Sequence, residues 1–158
     1  MSSPNRLRRA LLSFASLGGI GLLANKAQAH HTDTHFEDSS KHKVVYQCNK
    51  GDNEYYGHIL FSVGEMLRQY GDDVELVVTA FGAGLHLLGK HPGRPVDPIH
   101  QNRVQSLISY GVSFHACGNT MKTLGWTERD LLDDVKVVQI GANDLMQLQE
   151  QGFSYISW

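Results

Sequence analysis

Two cysteines, nine histidines and a glycine-rich segment carry the reactive chemistry of this 158-residue chain. Cys117 stands out first. It closes the apolar run Val112-Ser113-Phe114-His115-Ala116-Cys117, and Gly118-Asn119-Thr120-Met121 then reads as a helix start. A sulfur at such a junction faces backbone N–H groups that have no partner within the helix. That setting favours thiolate over thiol and would hold a sulfane sulfur or another anionic adduct. Gly118 lets the backbone come close, and the Asn119 and Thr120 side chains can donate hydrogen bonds. The competing reading is a buried structural cysteine. His115, two residues earlier, points to the same face of a strand. It either assists the thiolate and shuttles a proton, or it is a satisfied core histidine.

The other candidates are weaker. Cys48 also ends an apolar run, so it is either a resolving or disulfide partner for Cys117 or a small core residue. Gly82, Gly84 and His86 lie in a loop after a second strand and are candidate ligand contacts. Gly82-x-Gly84 lacks the third glycine of a dinucleotide fingerprint and does not open the first βα unit, which excludes nucleotide binding of that kind. His58, His91 and His100 have no partner pattern. His30 and His31, with His35 and His42, fall in the polar stretch 30–42. A terminal amine and imidazole at His30 would chelate Cu(II), but the spacing matches no defined metal motif. No cofactor is expected.

The elements that must position these residues alternate. Strands are expected at Lys43–Cys48, Val74–Ala80, Val112–Cys117, Val135–Val138 and Phe153–Ile156. A helix follows the first, with apolar positions at Tyr56, Ile59, Leu60, Val63, Leu67 and Tyr70, and Gly71 ends it. Asp97-Pro98 starts another, with Asp as cap and Pro at the first helical position. Thr127-x-x-Asp130 resembles a capping box. Residues 142–151 make a last helix with Leu145, Met146 and Leu148 inward. Residues 81–96 are mostly loop, with a helical turn at 85–88. The pattern predicts an α/β fold, three-layer α/β/α with a mostly parallel five-stranded sheet. Ligands in such sheets bind beyond the carboxyl ends of the strands, where Cys117 falls.

Composition sets limits around this core. Hydrophobic residues are 41% and charged residues 19%, which excludes a disordered chain. Two cysteines cannot build a disulfide scaffold or a four-thiolate zinc site. Residues 1–29 read as an export signal. Arg6, Arg8 and Arg9 precede an apolar run from Ala10 to Ala24, and Ala27-Gln28-Ala29 is a small-x-small cleavage site. The Arg8-Arg9 pair resembles a twin-arginine signal. Removing it takes four cations and no acid, so the net charge falls from −2 to −6. That surface argues against nucleic acid or anionic membrane as partner. The expected compartment is the periplasm, which is oxidising. The expected order is signal 1–29, a flexible tail 30–42 and one domain 43–158.

The stretch Phe114-His115-Ala116-Cys117-Gly118-Asn119-Thr120, the run Leu131-Leu132-x-x-Val135-Lys136-Val137-Val138 and the ending Leu148-Gln149-Glu150-Gln151-Gly152-Phe153-Ser154-Tyr155-Ile156 together resemble the DsrE/DsrF-like family. The resemblance covers about residues 43–158. It implies assembly into trimers or hexamers. It also implies a cysteine that accepts sulfur as a persulfide and passes it on, and Cys117 takes that position. The leading expectation is therefore a periplasmic sulfur-relay protein exchanging sulfur with donor and acceptor proteins or small thiols. The alternatives are a non-catalytic oligomeric binding module of the same fold, a thiol–disulfide protein using Cys48 and Cys117, and a metal-binding tail.

Overall fold

The computed structural model describes residues 40–158. The expected export signal over residues 1–29 and the histidines His30 and His31 lie outside them. The described chain runs β1 (His42–Cys48), α1 (Asn53–Tyr70), β2 (Val74–Ala80), α2 (Pro98–Ser109), β3 (Ser113–Cys117), α3 (Gly118–Leu124), β4 (Lys136–Val138), α4 (Gly141–Glu150) and β5 (Ser154–Ile156). Three 3₁₀ segments, Gly71–Asp73, Gly82–Leu88 and Glu128–Asp130, join them. The first strand begins at His42, whose ring packs 4.6 Å from that of Tyr70, so the domain claims one residue assigned to the tail.

The local signals act as expected. Asp52 caps α1 by accepting from the Tyr55 amide, and Asp97 caps α2 by accepting from Ile99. Thr127 and Asp130 form the capping box of the last 3₁₀ segment. The 81–96 loop is less open than its glycines suggest. Gly82–Leu88 forms a 3₁₀ segment in which Leu85, Leu87 and Leu88 are fully buried.

All five strands are parallel, in the order β4-β3-β2-β1-β5. The connections from β1 through β4 step in one direction across the sheet. Right-handed crossovers therefore put α1, α2 and α3 on one face. The return from β4 to β5 crosses back over three strands and puts α4 on the other. The two faces are unequally filled. Tyr46, Cys48, Val78, Phe114 and Ala116 point into the large core beneath α1 and α2, which Met121 of α3 completes. Val45, Val77, Leu145, Leu148 and Phe153 form a smaller core under α4 alone. Met146, expected inward, is about half exposed; the inward stripe of α4 is Gly141, Asp144, Leu145 and Leu148 instead.

Candidate functional site: Cys117 between β3 and α4

The chain leaves β3 towards α3 on one face and leaves β4 towards α4 on the other. The sheet thus has its topological switch between β3 and β4, where open α/β sheets form their crevice. Cys117 ends β3 at that point. Alternation along the strand sends Phe114 and Ala116 to the large core and Cys117 to the α4 side.

The sulfur acts there as a helix cap. Ile140, which precedes α4, supplies no side-chain cap, and the Gly141 amide donates instead to Cys117 Sγ at 3.2 Å. Gly141 is small because Phe81 packs on it: an added Cβ would lie 2.9 Å from the Phe81 ring. On the other side, Thr120 lies beside the sulfur, and its hydroxyl accepts the Gly82 amide at 3.1 Å. Gly82 has φ of 54°, a left-handed conformation suited to glycine. The Asn119 amide, near the sulfur, donates to the Gln139 carbonyl at 3.2 Å. Burial raises the Cys117 pKa and is the largest single influence. The Thr120 hydroxyl and the Thr120, Gly141 and Asn119 amides together outweigh it and hold the thiol below its ordinary value. Cys117 is 5% exposed, so its sulfur is nearly enclosed.

His115 and Cys117 share a face, but the direct partner of His115 is Asp144 in the first turn of α4. Its Nδ1 lies 2.8 Å from Asp144 Oδ2, and the same oxygen accepts from Thr79 Oγ1 at 2.7 Å. Burial opposes ionisation of Asp144, and the His115 and Thr79 hydrogen bonds outweigh it, leaving the carboxyl below its usual range. With the carboxylate ionised, His115 Nδ1–H donates to it.

Some expected site residues also make scaffold contacts. Gly84 lies against the end of β1, where an added Cβ would fall 2.2 Å from the Cys48 carbonyl oxygen. His86 is buried; it accepts from the Gly93 amide at 3.2 Å and meets Trp126 edge-on at 5.4 Å. Gly118 packs its Cα against β4, with the Val138 carbonyl 3.2 Å from an added Cβ.

The sheet order argues against a Cys48–Cys117 pairing and for the other alternative, a core residue at Cys48. Both cysteines are free and buried. β2 separates their strands, and Cys48, Ala80 and Ala116 lie in one row. Cys117 is one residue beyond that row and faces the opposite layer. Two strand spacings are about 9.5 Å, beyond the roughly 7 Å Cα separation that a disulfide spans. The Cys48 thiol donates to the Gly84 carbonyl at 3.8 Å and otherwise packs in the apolar core, where burial pushes it up to about 12.

Asp144, Thr79 and Gly141 were not among the residues the sequence singled out. An acid on the inward stripe of α4 was the available signal for Asp144; the other two required the register. Two open hollows flank the site, one beside Gly118 lined by Met121, Lys122, Trp126 and Arg129, the other beside Ala142 lined by Phe81, Leu145, Met146 and Tyr155. A more apolar groove between α1 and α2, near Phe61 and Tyr110, lies at the opposite edge of the sheet and has no part in the site. Among the described residues no group of three or more His, Cys, Asp or Glu is placed to hold a metal ion. No described helix is long and apolar enough to cross a membrane.

Comparison with known proteins agrees with this architecture. A protein of unknown function from Methanobacterium thermoautotrophicum, MTH1491, superposes with a TM-score of 0.67 at 26% identity, over 74% of this chain and 99% of that one. The ychN protein of E. coli superposes with a TM-score of 0.62 at 16% identity, covering 74% and 99%. BT1422 of Bacteroides thetaiotaomicron, also of unknown function, gives 0.58 at 14% identity, covering 77% and 98%. No curated protein matches the chain. The pattern of the DsrE/DsrF-like family matches residues 42–158, which include every strand and helix described above, and the chain therefore belongs to that family.

Proposed function

We propose that this protein is a sulfur carrier that holds a persulfide on Cys117 and works in the periplasm as a homotrimer or homohexamer. The observation that supports it most is the sulfur's role as cap of α4, with the Gly141 amide at 3.2 Å. An acceptor position filled by sulfur at a helix start suits an anion better than a neutral thiol. The compartment rests on the signal-like residues 1–29.

The reaction needs no outside oxidant. The Cys117 thiolate attacks the outer sulfur of a donor persulfide, R–S–SH. A new S–S bond forms as the donor's S–S bond breaks, RS⁻ leaves with the electron pair, and Cys117–S–SH remains. An acceptor thiolate then attacks the outer sulfur in turn and regenerates the Cys117 thiolate. The amides and the Thr120 hydroxyl stabilise the charged sulfur at the start and end of each transfer. Peptide mass spectrometry after exposure to polysulfide tests this. The expected result is an adduct of about 32 Da on Cys117, absent from Cys117→Ser. No adduct, or an adduct that survives the substitution, rejects the carrier.

One observation favours a second reading, a binding module without chemistry: Cys117 is only 5% exposed. In that case iodoacetamide would leave Cys117 unmodified in the native protein. Alkylation at neutral pH favours the carrier.

A further inference from the structure

Two rungs join the end of β3 to the first turn of α4. One is the Gly141 amide on Cys117 Sγ. The other is His115 Nδ1 on Asp144 Oδ2. The spacings match: His115 and Cys117 are two residues apart on a strand, and Gly141 and Asp144 are three apart on a helix. The carboxylate also reaches a second strand, because the same Oδ2 accepts from Thr79 of β2. Thr79 is fully buried, and His115 and Asp144 are nearly so, so these bonds are made away from competing water.

We infer that Asp144 is the positioning residue of the Cys117 site: it pins the first turn of α4 to β2 and β3 and so holds the Gly141 amide on the sulfur. The apolar contacts of Leu145 and Leu148 press α4 onto the sheet but do not direct its axial position. Phe81 bounds Gly141 on one side only. The two short hydrogen bonds to Asp144 are directional and fix both position and rotation of that first turn. Asp144 touches neither the sulfur nor a substrate in this arrangement. It acts through Gly141.

The inference rests on a functional Cys117 thiolate but is tested apart from sulfur transfer. The charged or titratable groups around the pin are His115, Asp144 and Lys136, which pairs with His115 in the sheet. Thr79→Val changes none of these charges and keeps the side-chain volume, while it removes one of the two bonds. The measurement is the pH profile of Cys117 alkylation in the folded full-length chain. The expected result is a midpoint moved upward and a rate at neutral pH lowered about threefold, with Thr79→Ser restoring the parent profile. A Thr79→Val protein that is less stable but keeps the parent profile overturns the inference.

Asp144→Asn gives the second check. Removal of a negative charge near the sulfur would by itself favour the thiolate and speed alkylation. A slower rate can therefore come only from the loosened pin and supports it; an unchanged or faster rate overturns it. A profile that moves while no persulfide forms would keep the pin and reject the carrier. A persulfide with an unmoved profile would do the reverse.

Discussion

Cys48 and Cys117 end parallel strands at the same edge of one sheet, and they live in opposite electrostatic worlds. Cys48 points into the large core beneath α1, meets one carbonyl oxygen, and is pushed up to about 12 by burial alone. Cys117 is also buried, yet the Thr120 hydroxyl and three amides reverse the effect of burial. A strand end is therefore not sufficient to activate a thiol. What differs is the arrival of a second backbone segment. Cys117 lies where α3 and α4 depart to opposite faces, so that α4 brings an uncapped amide to it. At Cys48 the approaching segment, around Gly84, presents a carbonyl.

The largest expected effect is the contrast itself. At pH 7 the Cys117 thiolate population should exceed that of Cys48 by at least about a thousandfold, read as alkylation rates in Cys48→Ser and Cys117→Ser proteins. Comparable rates would erase the distinction. The pH dependence of stability should also carry opposite signs at the two positions. The folded pKa of Cys48 is raised, so its stability contribution is whole below the unfolded value near 8.5 and is lost as pH climbs towards about 12. The folded pKa of Cys117 is lowered, so its contribution is present above the unfolded value and is lost as pH falls through the folded one. Denaturant midpoints of the two serine variants against pH, compared with the parent, would show it.

Gly84→Ala comes next. The added Cβ would strike the Cys48 carbonyl, and a loss of about 3 kcal/mol is expected in denaturant unfolding. A neutral substitution would mean that the 3₁₀ segment can move away from β1. The smallest effect is Thr120→Val. Loss of one hydrogen bond to the sulfur, worth about 1 kcal/mol, should slow Cys117 alkylation about fivefold at neutral pH, and Thr120→Ser should recover it. An unchanged rate would assign the lowered pKa to the amides alone.

The sequence made the strands and helices legible because apolar periodicity, Asp97-Pro98 and the glycine stops are local signals. It also pointed to Cys117, since a strand end followed by Gly-Asn-Thr is a local pattern. Whatever depended on strand order was hidden. A Cys48–Cys117 pairing stayed open because periodicity does not say that β2 lies between β1 and β3. Thr79 reads as one more β-branched strand residue, and Asp144 as an ordinary first-turn acid, until the register sets them beside His115. The packing of Gly84 was hidden for a related reason: glycines in a loop look free until a carbonyl is found 2.2 Å from where a side chain would begin.

The unequal cover of the two faces bears on how a partner reaches the sulfur. α4 is at once the roof over Cys117 and the source of one of its donors. A partner that lifts this helix gains entry to the sulfur but strips away the Gly141 amide, and so meets a more basic thiol. A partner that enters through the crevice between β3 and β4 leaves the helix seated and its amide on the sulfur. Access and activation are thus opposed along one route and compatible along the other.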